Sequence, residues 1–222
     1  MTTPLANAIV DYYTDVLCVW AWIAQPRLDN LCREWGDGVT VRYRYVDVFG
    51  DAHTKIKGKW GQQDGFDRFA EHVEQAGADH SHTELHDDLW RVTRPRSSLP
   101  AHLVLKAASL VAGRAAEESL AVAMRRAFFC DARDIGNMDV LLDVADATGV
   151  DAEALRNAVR TGEALAGLSA DFRDAQALGV RGSPTWVLNE GRQLLYGNVG
   201  YRILQANVEE LVNRPQGEAS WC

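Results

Sequence analysis

The chain has 222 residues, 47% of them apolar and 24% charged, and a formal net charge of −8 at pH 7. That acidic balance argues against nucleic acid as a partner, which needs clustered Lys and Arg to displace counterions, and a chain of this length buries a core without disulfide staples. The start, MTTPLANAIVDYY, has neither a basic n-region nor an apolar h-region and no later stretch approaches a membrane span, so a cytoplasmic location, no membrane partner and four reduced cysteines are expected.

Residues 9–13, IVDYY, are a short apolar and aromatic run that reads as a buried strand. Trp20, Ile23, Leu28, Leu31 and Trp35 follow at spacings near three and four, which predicts an amphipathic helix with a kink or irregular turn at Pro26. Gly36-Asp37-Gly38 closes that helix. Val39, Val41, Tyr43, Tyr45 and Val48 then predict a second strand, giving β-α-β with parallel strands. Residues 50–65 are dominated by Gly, Lys, Asp and Gln and read as an exposed connection. Helical patterns follow over 66–76, 101–112, 117–128, 138–148 and 152–161, with no strand among them, as expected of a helical insertion. A further helix is predicted over 165–178, ending at Gly179. Strands over 185–188 and 193–196 form a hairpin across Asn189-Glu190-Gly191, and a last helix covers 201–213. The expected class is α/β, with a sheet-bearing part from residues 1–49 and 165–214, an all-helical insertion over 50–164 and a tail over 215–222.

Cys18 falls where the first strand runs through Thr14-Asp15-Val16-Leu17 into the first helix. A helix N-terminus collects unpaired N–H groups and partial positive charge, which favours a thiolate over a thiol. The Cys18 pKa is therefore expected to fall from about 8.5 toward roughly 3.5–7.5. Redox dithiol enzymes carry Cys-x-x-Cys at such a turn, whereas this run is Cys18-Val19-Trp20-Ala21, without the second thiol. If both chain ends build one sheet, two other segments converge on Cys18. Gly182-Ser183-Pro184-Thr185 puts a proline directly ahead of a strand, and a cis Ser183–Pro184 bond would present the Ser183 backbone to a bound peptide as an added strand. Tyr196-Gly197-Asn198-Val199-Gly200 opens the last helix.

The remaining candidates read first as structure. Cys32 shares an apolar helix face with Leu28, Leu31 and Trp35, and it lies about 21 Å along a straight helix from Cys18, too far to pair. Cys130 follows Phe128-Phe129 and suits core or helix-end packing. Cys222 ends the chain, where most cysteines do nothing, and a resolving role is the minor reading. His80, His82 and His86 crowd an acidic stretch, but His-x-His without a thiolate is a weak zinc signal, so a solvated loop and no metal are expected. His102 suits a packed histidine before a base. Trp20 and Trp22 suit core or cleft wall, with Trp20 also facing substrate. Arg94 and Arg96 are solvated or, beside Ser97-Ser98, placed to meet a carboxylate.

The segments DVLCVWAW and GVRGSPTWVLNEGRQLLYGNVGY, separated by the helical stretch, resemble the DsbA-like branch of the thioredoxin superfamily. In layout the chain is similar to FrnE-type disulfide oxidoreductases, 2-hydroxychromene-2-carboxylate isomerases and kappa-class glutathione transferases. Ser97-Ser98-Leu99-Pro100-Ala101-His102 is similar to an Asn-Ser/Thr-x-x-Ala-His stretch of these relatives. Arg126-Ala127-Phe128-Phe129 through Asp134-Ile135 is similar to their Arg-Ala-Phe/Tyr-Phe…Asp-Ile stretch. The resemblance covers nearly the whole chain up to about Pro215. It implies a thioredoxin-like fold with a helical insertion, Cys18 as the catalytic residue, and Trp20, Ala21, Ser97, Ser98, Ser183, Pro184 and Asn198 around the bound substrate or thiol. It also implies no permanently bound cofactor, glutathione or another low-molecular-weight thiol as cosubstrate, a protein or small-molecule thiol or disulfide as substrate, and a homodimer.

Two departures shape the functional expectation. Oxidoreductase members carry Cys-Pro-x-Cys, where this chain has Val19 for the proline and Ala21 for the resolving cysteine. Isomerase and kappa members usually have serine at the place of Cys18 and bind glutathione beside it. The leading expectation is a thiol–disulfide oxidoreductase acting through Cys18 alone with an external thiol. The alternatives are a glutathione-dependent isomerase or transferase, and a non-catalytic binding module that lost redox function with its second cysteine.

Overall fold

The computed structural model describes residues 8–214. The tail over 215–222, with Cys222, lies outside the described residues. Strand β1 (Ala8–Thr14) is central, with β2 (Val39–Tyr45) parallel on one side and β3 (Thr185–Leu188) antiparallel on the other. Strand β4 (Gln193–Tyr196) pairs antiparallel with β3, giving the order β2-β1-β3-β4. A strand flanked at both edges and covered on both faces has no wet side, which is why β1 reads as an unbroken apolar run. Its one acidic residue, Asp11, is buried opposite Arg42 and accepts from Arg42 Nε at 2.7 Å and Arg44 Nε at 3.1 Å. The predicted hairpin turn is realised with positive φ at Asn189, Glu190 and Gly191.

Helix α1 (Val19–Trp35) connects β1 to β2 and stays one helix through Pro26, where a kink or irregular turn was expected. Proline lacks an N–H and opens its turn, and the Ile23 carbonyl there accepts from Arg27 Nη1 and His82 Nε2, both at 3.1 Å. Gly36, at φ 46°, ends the helix in a backbone conformation that suits glycine.

Residues 50–65 are largely exposed, as expected, but they are not a plain connection. They hold α2 (Ala52–Trp60), capped by the Asp51 carboxylate accepting from the Thr54 N–H at 3.1 Å. Only Ala52 and Ile56 of this helix are buried, too few to give a readable apolar period. The other helices fall within a few residues of expectation: α3 (Gly65–Ala78), α4 (Leu99–Ala112), α5 (Arg114–Phe129), α6 (Met138–Ala147), α7 (Ala152–Arg160), α8 (Glu163–Ala177) and α9 (Tyr201–Asn213). Among the described residues no helix is long and apolar enough to cross a membrane.

The helices at 50–164 share the sheet's core. One buried cluster joins Tyr12, Val41 and Trp186 of the sheet to Leu105, Phe128 and Leu141 of α4, α5 and α6. Tyr13, the neighbour of Tyr12, points to the other face and packs with Val46, Val187 and Ala175 of α8. The fully buried Arg125 ties α5 to the sheet and to α1, donating to Thr14 Oγ1 and Gln25 Oε1, both at 2.7 Å.

Candidate active site

The turn between β1 and α1 is wrapped around a buried carboxylate. Asp15 is fully buried, and its Oδ1 accepts the Leu17 N–H at 2.9 Å. Its Oδ2 accepts the N–H groups of Val48 at 3.1 Å and Phe49 at 2.8 Å, and the Ser98 hydroxyl at 2.8 Å. One side chain therefore fixes the Cys18 turn to the segment after β2 and to the start of α4. His102 completes the packing: its Nε2 accepts the Val16 N–H at 3.2 Å and lies 3.8 Å from Asp15 Oδ1. A ring nitrogen that accepts carries no proton, so His102 is the neutral Nδ1–H tautomer. Burial lowers its pKa and keeps it neutral. It holds the backbone of the turn, far from the role of a solvent-accessible base.

Cys18 is the N-cap of α1, in an extended conformation, and its carbonyl accepts the N–H groups of Ala21 at 3.0 Å and Trp22 at 3.2 Å. The Ser183–Pro184 bond is cis, and the Cys18 thiol donates to the Ser183 carbonyl at 3.1 Å. The Ser183 hydroxyl accepts the Asp15 N–H at 2.9 Å, so the two ends of the chain are stitched together beside the sulfur.

The expected thiolate is reversed by this environment. Cys18 is only 6% exposed, and burial pushes its thiol pKa up, with the charge of Asp15 adding to the rise. The Ser183 side chain and the N–H groups of Ala21 and Trp20 at the helix start pull the other way and do not compensate. A helix terminus favours an anion that remains hydrated, and this sulfur has left water. At rest Cys18 is a thiol. Its alkylation rate should climb with pH through an inflection above the reference near 8.5. A rate already at its plateau below pH 7 would contradict this.

A cleft of about 240 Å³ opens beside the sulfur. Trp20, Phe49, Trp60 and Phe69 are among its aromatic walls, Lys55, Lys59 and Arg181 bring positive charge, and among the described residues no carboxylate lines it. Lys55 Nζ donates to the Val48 carbonyl at 2.6 Å and sits 5.0 Å from the Phe49 ring centroid.

Of the residues singled out from the sequence, Cys18, Trp20 and Ser183 line this cleft together, while Pro184 is buried behind Ser183. Ala21 is fully buried in the core beneath it. Ser97 and Ser98 do not reach the cleft, because the first accepts from the Leu99 N–H at 3.0 Å and the second is committed to Asp15. Asn198 lies elsewhere, accepting from Arg27 Nη1 at 2.5 Å with its amide nitrogen 3.4 Å from His80 Nε2. Arg94 donates to the Trp90 carbonyl at 2.8 Å and Arg96 is 3.2 Å from His53 Nδ1, so neither faces the cleft.

Of the histidine cluster, His80 and His82 stay adjacent, with ring centroids 5.8 Å apart, but each has its own partner. His80 meets the Trp20 ring edge-on, His82 donates to Ile23, and His86 accepts the Asp88 N–H. Among the described residues no group of three or more His, Cys, Asp or Glu could hold a metal ion. Cys18, Cys32 and Cys130 are free thiols. Cys32, expected in apolar packing, is exposed, and Cys130 packs half-buried at the end of α5.

Sequence reading missed Asp15, Lys55, Lys59 and Arg181. Asp15 stands three residues before the cysteine, a spacing that offered a signal. Lys55 and Lys59 are one helical turn apart on a segment that did not read as a helix.

A sequence profile of the DSBA-like thioredoxin domain matches residues 9–209. Among solved structures, a candidate protein disulfide isomerase from Nitrosomonas europaea superposes with a TM-score of 0.77 at 16% identity, covering 95% of this chain and 100% of that one. The cytosolic disulfide reductase DsbM from Pseudomonas aeruginosa, solved alone and with GSH, gives 0.69 in the first case at 21% identity, over 90% and 98% of the two chains. A 2-hydroxychromene-2-carboxylate isomerase gives 0.64 at 18% identity, over 96% and 100%. At these identities the likeness is one of fold. No curated protein matches by sequence. The profile match runs from β1 through the helices to α9, taking in the Cys18 turn and the Ser183–Pro184 loop, and so the chain belongs to the DSBA-like thioredoxin domain family.

Proposed function

We propose that the protein is a thiol–disulfide oxidoreductase that works through Cys18 alone, with glutathione or another low-molecular-weight thiol as the second reactant. The observation that carries this reading is the Cys18 sulfur beside the Ser183 carbonyl in a cationic cleft, with Ala21 where a resolving thiol would stand. Cys18 loses its proton and attacks one sulfur of a substrate disulfide. A Cys18–sulfur bond forms, the substrate S–S bond breaks, and the departing thiolate takes up the proton. An external thiolate then attacks the substrate sulfur of the mixed disulfide, and Cys18 leaves with its electron pair and is reprotonated. A second external thiol displaces the first, giving the reduced substrate and the external thiol's own disulfide. Lys55, Lys59 and Arg181 suit the carboxylates of such a thiol. A thiol of raised pKa gives few thiolates, but each is a stronger nucleophile and a poorer leaving group. The mixed disulfide should therefore be long-lived and persist until the external thiol arrives.

A second reading has its own observation. A buried Cys18 that remains a thiol and donates a hydrogen bond could instead donate to the sulfur of bound glutathione, as in an isomerase or transferase. Reduction of a protein disulfide, followed with and without glutathione and with no small electrophile present, separates the two. Turnover that requires only the disulfide and glutathione supports the first reading, and turnover seen only with an electrophile sinks it.

Ala21→Cys offers a gain of function. Ala21 lies one helical turn past Cys18, and a bridge needs Cα atoms only about 4.4–6.8 Å apart. The variant should form a disulfide between Cys18 and the introduced thiol and oxidise a reduced protein without glutathione, but only partially, because Val19 and Trp20 are not the usual spacer. Thiol counting after mild oxidation checks it. Two free thiols at these positions would count against the assigned helix start.

A further inference from the structure

Cys18 rests as a buried thiol, and the exchange chemistry proposed above needs its proton removed and returned in every turnover. Besides Cys18, the titratable side chains lining the cleft are Lys55, Lys59, His72, Arg181 and Tyr196. Lys59 and Arg181 are cations and Tyr196 is a phenol, each already holding a proton at neutral pH. Burial lowers the pKa of Lys55, but from 10.5, and its Nζ is a donor to the Val48 carbonyl. Among the described residues no carboxylate lines the cleft, which leaves His72 as the side chain able to accept a proton at pH 7.

His72 is fixed in the cleft wall by packing. On α3 it stands one turn past Phe69, beside the stripe of Phe66, Phe69 and Val73 that the helix buries. Its ring centroid lies 4.9 Å from that of Trp60, at the end of α2, and 6.1 Å from that of Phe69. Among the described residues neither ring nitrogen has a hydrogen-bond partner. The charged and titratable groups around it are Lys59 from α2, Arg68 and Glu71 from its own helix, and Lys55, Arg181, Tyr196 and Cys18 around the cleft. Burial, and then Lys59, lower its pKa from 6.5, so the imidazole is neutral at pH 7. A cleft of about 240 Å³ leaves room for water, at about 30 Å³ a molecule, to carry a proton between its walls.

We propose that His72 is the proton acceptor for Cys18, taking the thiol proton through water in the cleft and passing it to the departing sulfur. In the first half of the cycle Cys18 becomes a thiolate and His72 an imidazolium. The thiolate attacks the substrate disulfide, a Cys18–sulfur bond forms, the substrate S–S bond breaks, and the imidazolium protonates the thiolate that leaves. In the second half His72 takes the proton of the external thiol. That thiolate attacks the substrate sulfur, and the freed Cys18 thiolate receives the proton. The imidazolium keeps a positive charge in the cleft for as long as a thiolate is there.

The test uses the full chain, its His72→Phe variant, glutathione and hydroxyethyl disulfide, an uncharged substrate. Phenylalanine keeps a flat ring against Trp60 and Phe69, so the melting temperature should stay within a few degrees. At pH 7 the variant should be at least tenfold slower. The gap should close to within about twofold at pH 10, where hydroxide ionises the thiols unaided. The natural chain should show an added loss of rate as pH falls through the His72 pKa, below 6.5, and the variant should show no inflection there. Imidazole added at 0.1 M should restore the variant at least threefold. Equal rates at pH 7, or a loss just as large at pH 10, would overturn the proposal while leaving the exchange chemistry standing. If the natural chain reduces no disulfide, the exchange chemistry itself fails, and labelling of Cys18 by iodoacetamide at pH 7 decides the role of His72. Labelling at least fivefold slower in the variant upholds it, and equal labelling overturns it.

Discussion

Replacing Cys18 with serine should abolish glutathione-dependent disulfide reduction, with a rate loss of at least roughly a thousandfold. A serine hydroxyl is not ionised in any working pH range and forms no stable bond to a disulfide sulfur, so neither half of the cycle can proceed. The fold should survive. The hydroxyl can donate to the Ser183 carbonyl as the thiol does, and the exchange of sulfur for oxygen changes the volume of this buried position little. The melting temperature should move by only a few degrees. The variant also separates the two functional readings, because serine stands at this position in the isomerase- and transferase-type proteins that the sequence resembles. If Cys18 merely donates a hydrogen bond to a bound thiol, serine does so equally well and activity with a small electrophile survives. Reductase activity kept within tenfold of the natural chain would rule out Cys18 as the nucleophile.

The same site shows which physical signals travel along a sequence and which do not. Strands β3 and β4 and helix α9 were legible because their apolar residues alternate or recur locally, between glycines and a proline that mark the turns. The Cys18 turn and the Ser183–Pro184 loop were legible as punctuation between elements. The protonation state of Cys18 was not. It depends on burial in the assembled fold, beside a cleft whose walls Phe49, Trp60 and Phe69 come from thirty to fifty residues downstream, and the first two flank or end a helix that the sequence hid. Ser98 was legible as part of a motif but not in its role. Its hydroxyl is held by Asp15, and nothing in the order of residues says that these two meet.

Asp15→Ala should cost about 3–5 kcal/mol of stability, the largest loss expected of any single change near the site. The carboxylate has no solvent contact and is accepted into the fold only because four donors surround it: the N–H groups of Leu17, Val48 and Phe49 and the Ser98 hydroxyl. Alanine leaves all four without a partner in a space closed to water. For a chain of this size, 1 kcal/mol moves the melting temperature by about 2–4 °C, so a drop on the order of 10 °C is expected. Ser98→Ala removes one donor and leaves the carboxylate three others, so it should cost only about 1 kcal/mol. Asp15→Asn should fall between them, because its oxygen in the place of Oδ2 keeps the bonds from Val48, Phe49 and Ser98 while its amide hydrogens face the Leu17 N–H. The loss should also reach the thiol. With the Asp15 charge gone, one cause of the raised Cys18 pKa is removed, and alkylation in the folded Asp15→Asn protein should quicken several-fold at neutral pH. Thermal melts of the three variants, with Cys18 labelling well below each melt, check both effects. An Asp15→Ala protein that melts within 2 °C of the natural chain would mean that the carboxylate does not hold the turn together.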